Sequence, residues 1–231
     1  MSPMPYYVSP EQLMKDRADY ARKGIARGKS ILALECADGI MFVAENPSAT
    51  LRKVSELYDR VAFCAVGKYN EFENLRIAGV RLADMRGFVY GREDVTARAI
   101  ANAYAQALGT IFTQEMKPYE VELLVAQLGE SQASDELYHV VYDGSVSDRQ
   151  GWVAMGGQAD ALKTELAAEY RDGMSFDDAL RLGAKALGAT DETRELTAGN
   201  LEVAVLDRSR PRRTFRRLGD PDVAGVIQAA R

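Results

Sequence analysis

Residues 27–46 read RGKSILALECADGIMFVAEN: two apolar runs joined by the turn Ala37-Asp38-Gly39, with Lys29 and Ser30 at the head of the first run. A hydroxyl in that place can act as a nucleophile when the chain begins with it, because a free α-amine then serves as its base. Here 29 residues precede Ser30, and the stretch directly ahead of it is patterned as a helix. Two readings follow. Either the chain cleaves itself before Ser30 and becomes a self-processing hydrolase with Ser30 as nucleophile, or the nucleophile position is blocked and the scaffold serves another purpose.

Other residues that could do chemistry have plainer readings. His139 is the single histidine and sits in the strand-like ELYHVVYD, so any Ser-His-Asp or Cys-His arrangement would have to use it, and alone it cannot build a metal site. Cys36 and Cys64 lack paired spacing and read as buried free thiols. Glu35, Asp38 and Glu45 cluster near the hairpin, but Asp38 belongs to the turn, where its side chain bonds backbone amides, and paired-carboxylate catalysis is not indicated. Gly156-Gly157 lacks the flanking residues of a phosphate loop and reads as a strand easing into a helix. Six arginines between 208 and 217 stand in an acidic chain with one interleaved aromatic, Phe215, which favours an edge strand or subunit contact over nucleic acid. Lys53, in LRKVSELYD, reads by residue statistics as a solvated lysine at the start of a strand. No metal or cofactor is expected.

These residues need elements to hold them. At 231 residues, 47% hydrophobic and 27% charged with net charge −5, the chain has the composition of an ordinary globular protein and can bury a full core in one domain. No apolar run approaches the roughly 18–20 residues of a membrane span, and MSPMPYYVSPEQ has neither the basic flank nor the apolar stretch of a signal peptide, so a cytoplasmic protein is expected. Met1, Ser2, Pro3, Met4, Pro5, Tyr6, Tyr7 and Val8 form an irregular arm, since Pro3 and Pro5 lack amide donors. Ser9-Pro10-Glu11-Gln12 is a helix start, with serine at the N-cap, proline at the first helical position and glutamine closing a capping box. Met14, Ala18, Ala21 and Ile25 then give that helix a narrow apolar stripe, and Gly24 and Gly28 mark its end.

After the hairpin, Val54, Leu57, Val61, Phe63 and Ala65 predict two short strands broken at Asp59-Arg60. Helices follow over about 68–86 and about 94–116, the second opened by Asp94, with Ala99, Ala103 and Ala107 allowing the pair to pack as a layer. Strands are predicted in YEVELLVAQLG, ELYHVVYD and GWVAMGG, the last two joined by the turn Asp143-Gly144; helices at 157–171 and 176–187, the latter opened by Ser175; and strands in LEVAVLD and RRTFRRL. Short turns between strands favour antiparallel pairing, and segregated helix pairs favour layers on the outer faces of stacked sheets. The expected fold is α+β, a four-layer helix-sheet-sheet-helix sandwich with an extra N-terminal helix.

The segments SPEQLMKDRADYARKGIARGKSILALECADGIMFVAENPS, KVSELYDRV, KPYEVELLVAQLG, WVAMGGQADALKTEL and GNLEVAVLD, taken in order, resemble the proteasome α-type subunits of actinobacteria over nearly the whole length. That family has the N-terminal nucleophile hydrolase-like sandwich. The resemblance implies a non-catalytic subunit: Lys29 stands where β-type subunits expose a threonine, and the helix ahead of it is kept. It implies a homo-heptameric ring, two such rings capping two β rings as α7-β7-β7-α7, with catalysis in the partner β subunit and unfolded protein substrates in transit. Met1 to Val8 would gate the pore. Lys53 matches the pocket lysine that receives the C-terminal carboxylate of an activator, here a regulatory ring ATPase handling proteins tagged with a small ubiquitin-like protein; Arg27 and Gly67 match further pocket positions. No nucleic-acid or membrane partner is implied. The domain plan is thus a gating arm over 1–8, one domain over 9–218, and a mobile tail over 219–231, which lies outside the shared core.

Overall fold

The computed structural model describes residues 9–189 and 196–228. The arm Met1–Val8 lies outside them. Helix α1 (Pro10–Ile25) leads to β1 (Ile31–Cys36), β2 (Gly39–Glu45), β3 (Val54–Tyr58) and β4 (Val61–Gly67), then to helices α2 (Tyr69–Val89) and α3 (Ala97–Gln114). Strands β5 (Val121–Gln127), β6 (Glu136–Val141), β7 (Val146–Arg149) and β8 (Trp152–Met155) follow, then α4 (Ala159–Glu169), α5 (Phe176–Ala189), β9 (Leu201–Asp207), β10 (Phe215–Arg217) and α6 (Asp220–Gln228). One sheet has the order β10-β9-β2-β1-β8 and the other β3-β4-β5-β6-β7, with every pair antiparallel.

The sandwich explains why the hairpin strands are uninterrupted apolar runs rather than alternating ones: both of their faces are covered. Ile31, Ala33, Ile40 and Phe42 meet Val54, Ala62, Cys64 and Leu124 between the sheets. Leu32, Leu34, Met41 and Val43 face the other way, against Leu162, Leu166 and Leu180 of α4 and α5. On the far side Phe63, Leu123 and Val125 pack on Phe72, Ile100 and Leu108 of α2 and α3.

Helix α1 begins after Ser9, whose hydroxyl accepts the Gln12 amide at 3.2 Å, but the Gln12 side chain donates to Asp16 at 2.6 Å instead of closing the capping box. Its stripe, Ala21 and Ile25 with Ala18 beside them, joins the core between the sheets rather than either helix layer, so α1 closes one end of the sandwich. Arg17 fixes it there by donating to the carbonyls of Ile111 at 3.3 Å, which also accepts the Glu115 amide, and of Glu115 at 2.5 Å, at the C-cap of α3 where carbonyls run out of intrahelical partners.

Three features differ from the sequence reading. Thr96, not Asp94, caps α3: its side chain accepts the Ala99 amide at 3.3 Å, while Asp94 ends a short 3-10 turn. The Asp143-Gly144 turn joins β6 to β7, whose sequence VSDR is exposed and polar and so carries no strand signal; GWVAMGG pairs with β1 in the other sheet. Over 220–228 the tail forms helix α6, absent from the sequence reading, which seats Val223, 2% exposed, with Val226 and Ile227 against the α4–α5 side of the core. Residues 229–231 lie outside the described residues. Among the described residues no helix is long and apolar enough to cross a membrane.

Candidate functional site

The start of β3 is held from the opposite sheet. Glu202 of β9, 3% exposed, accepts the Lys53 amide at 2.9 Å, the Val54 amide at 3.2 Å and Asn46 Nδ2 at 2.7 Å, and it pairs with Arg217. Arg217 in turn donates to the Val54 carbonyl at 2.8 Å. A buried carboxylate is tolerable only when its oxygens are filled in this way. With its backbone fixed, the half-buried Lys53 reaches the head of the hairpin and donates from Nζ to the Lys29 carbonyl at 2.6 Å. Burial lowers the Lys53 ammonium to about 8, opposed by the charges of Glu45 and Glu202 and reinforced by that of Lys29. Lys29 itself bridges Glu45 at 3.1 Å.

Gly67 closes the other flank. Its φ is +106°, and a side chain there would meet the Glu120 carbonyl at 1.9 Å, so only glycine fits. A Cβ on Gly28 would stand 3.1 Å from the Gly67 nitrogen, so the segment 27–30 runs between Gly67 and Lys53. Arg27 is exposed and borders a cavity of about 150 Å³ with Lys29, Ser30, Glu45 and Gln158; neither Lys53 nor Gly67 lines it. Lys53, Gly67 and the segment that carries Arg27 are thus neighbours around one turn of chain.

Ser30 is 3% exposed, and its hydroxyl accepts the Gln158 amide at 3.3 Å. The peptide ahead of it continues into α1. His139 is elsewhere, with Nε2 2.6 Å from Glu122, and both cysteines are free and buried. Among the described residues no group of three or more His, Cys, Asp or Glu could hold a metal ion. Four of the six arginines at 208–217 face carboxylates: Arg208 with Asp135 at 2.8 Å, Arg213 with Glu56 at 2.5 Å, Arg216 with Asp207 at 2.8 Å, and Arg217 with Glu202. They clamp the end of the chain to the sandwich.

The residue that sequence reasoning missed is Glu202. An acidic residue between Leu201 and Val203, in the otherwise apolar LEVAVLD, was its signal, since a charge in a buried strand requires partners.

A model of the proteasome subunit family matches residues 25–206. The chain belongs to that family. It is similar to the proteasome subunit alpha of Kineococcus radiotolerans, at 60% identity covering 96% of this chain and 97% of the relative. It is 61% identical to the proteasome subunit alpha of Xylanimonas cellulosilytica, covering 93% and 92%, and 60% identical to that of Thermomonospora curvata, covering 97% of each. The resemblance to actinobacterial α-type subunits therefore holds over nearly the full length, and the two stacked antiparallel sheets flanked by helices are the sandwich expected of such a subunit.

Proposed function

We propose that this proteasome subunit is a non-catalytic ring component: seven copies form an outer ring that caps rings of β subunits, where the catalysis lies. Met1 to Val8 gate the pore, and a ring ATPase docks its C-terminus at Lys53, beside Arg27 and Gly67, to pass tagged, unfolded proteins inward in the cytoplasm. The observation that carries the docking reading is the state of Lys53. An ammonium has three donors, and among the described residues Lys53 Nζ directs one to the Lys29 carbonyl, leaving two for an incoming carboxylate in a partly desolvated place.

The test is to titrate the activator, or its C-terminal peptide, against wild-type and Lys53→Ala particles assembled with β subunits. Half-saturation should shift strongly, with basal peptide hydrolysis unchanged; equal half-saturation returns Lys53 to a surface lysine. Deleting residues 1–8 should speed peptide hydrolysis by the assembled particle, and an unchanged rate would mean the arm is not the barrier. The self-processing alternative is tested by intact mass, since it requires loss of the first 29 residues.

A further inference from the structure

The far end of β1 holds a carboxylate that neither the ring nor the docking site uses. Glu35 follows Ile31 and Ala33 on the face between the sheets and is 5% exposed. Its Oε2 accepts the Gly151 amide at 2.9 Å and its backbone carbonyl accepts the Tyr170 hydroxyl at 3.0 Å, while Oε1 is buried with no partner among the described residues. Glu35 lines a cavity of about 390 Å³ with Gln132, Asp135, Gln150, Gly151 and Asp172. An orphaned buried acceptor costs free energy unless something outside the chain satisfies it.

The other walls narrow the choice of ligand. Asp135 is already filled by the Gly129 amide at 2.7 Å and by Arg208 at 2.8 and 3.1 Å. Gln132 is committed to Tyr170, at 3.0 Å, and to the Gly173 amide, at 2.9 Å. The buried acceptor without a partner is Glu35 Oε1 inside, and Asp172 stands at the exposed mouth beside the Tyr170 hydroxyl. Among the described residues no three carboxylates converge to surround a metal ion. A planar or tetrahedral organic cation, which spreads several N–H donors over its surface, suits separated acceptors where a bare metal ion does not.

We propose that this cavity binds the guanidinium or primary ammonium group of an organic cation, with Glu35 Oε1 accepting an N–H and Asp172 holding the charge at the mouth. The cation is either a free small molecule or a basic side chain of a neighbouring copy. Burial above all, opposed by the Gly151 amide and reinforced by Asp135, Asp172 and Asp148, pushes the Glu35 carboxyl up to about 7; Arg208, Tyr170 and Cys36 are further ionisable groups close by. A bound cation favours the ionised form, so affinity rises with pH up to about 7 and levels off above it.

Agmatine, which carries both groups, is the probe, titrated into the full-length chain while the Gly151 amide resonance is followed, with butylurea as the uncharged control. One saturable site is expected, tighter at pH 8 than at pH 6, and weakened about tenfold by Glu35→Gln, as loss of one charge-assisted hydrogen bond implies. Asp172→Asn, at an exposed position, should weaken it several-fold without risk to folding. Equal binding by either variant and wild type, equal shifts from butylurea, or no binding overturns the proposal. Repeating the titration on the assembled particle identifies the source: binding retained points to a free cation, and binding lost only on assembly points to a neighbour's side chain.

Discussion

Near each end of the β1–β2 hairpin stands an ionisable group, half-buried Lys53 at one and buried Glu35 at the other, and their neighbours act in opposite senses. At the head, burial pulls Lys53 down while Glu45 and Glu202 pull it back, and it settles at about 8. At the turn, burial pushes Glu35 up, and Asp135, Asp172 and Asp148 push the same way, to about 7. Lys53 is therefore mostly charged at neutral pH, whereas Glu35 is about half protonated there. Burial alone drives any ionisable group toward neutrality; the sign of the charges around it decides whether the charge survives. At Lys53, carboxylates at one remove keep the cation.

The sharpest way to break the comparison is to remove the compensation at the head. Glu202→Ala leaves two backbone amides, Asn46 and Arg217 without their buried acceptor, and breaking a buried charged pair from one side costs about 3–5 kcal/mol. A fall in Tm on the order of 10 °C is expected for a chain of this size. Calorimetry showing a fall under about 2 °C would remove Glu202 from its anchoring role.

The turn end predicts a pH slope. The native chain takes up a proton on Glu35 near pH 7 and the unfolded chain near 4.5, so between those values the native state holds more protons and stability falls as pH rises, levelling above about 7. The full effect is on the order of 3 kcal/mol. Lys53 adds a slope of the opposite sign from about 8 to 10.5, where the unfolded state holds more protons. Glu35→Gln should flatten the lower window and leave the upper one; a wild-type denaturation midpoint that stays level across the lower window would show that Glu35 is not raised.

How far the sequence reveals these two ends depends on how local their causes are. The hairpin was legible because ILALEC and GIMFVAE are continuous apolar runs bounding a turn, and α1 because its cap and stripe lie within sixteen residues. Strand β7 was not, since VSDR is defined by its pairing to β6 and not by any apolar face. Helix α6 was hidden by Pro221 and Gly225 and is held by Val223, Val226 and Ile227 against α5 and its surroundings. Lys53 drew notice only through resemblance, because its anchor lies 149 residues away in the chain. Glu35 and Glu45 looked like one acidic cluster, yet the register pairs Glu35 with Ile40 and Ile31 with Ala44, which sets the two carboxylates at opposite ends of the hairpin.

At the head, Lys53→Ala should weaken activator docking roughly 10- to 150-fold, as removal of a charged hydrogen bond of about 1.5–3 kcal/mol implies. Docking to several pockets at once would compound the loss across a ring. Stimulation by the wild-type particle should also fall as pH rises through about 8, where Lys53 loses its proton, while Lys53→Arg keeps its charge and its pH profile stays level despite a poorer fit. Parallel declines in both particles would locate the pH effect elsewhere.

The smallest effect is expected at Ser30, and its smallness is the point. Were Ser30 a nucleophile, replacing it would abolish hydrolysis. Its hydroxyl instead sits 3% exposed, spanning from β1 to the Gln158 amide at 3.3 Å, at the start of α4. It has no free amine beside it, since the chain runs back through Lys29 into α1, and the single histidine is tied to Glu122. Ser30→Ala in particles assembled with β subunits should therefore leave peptide hydrolysis unchanged and lower stability by about 0.5–1.5 kcal/mol, the net worth of one neutral hydrogen bond. Hydrolysis lost from intact particles would sink the non-catalytic reading. A stability loss well above that range would instead show that the head of the hairpin depends on Ser30 more than one long hydrogen bond explains, and would extend the anchoring network from Glu202 across to α4.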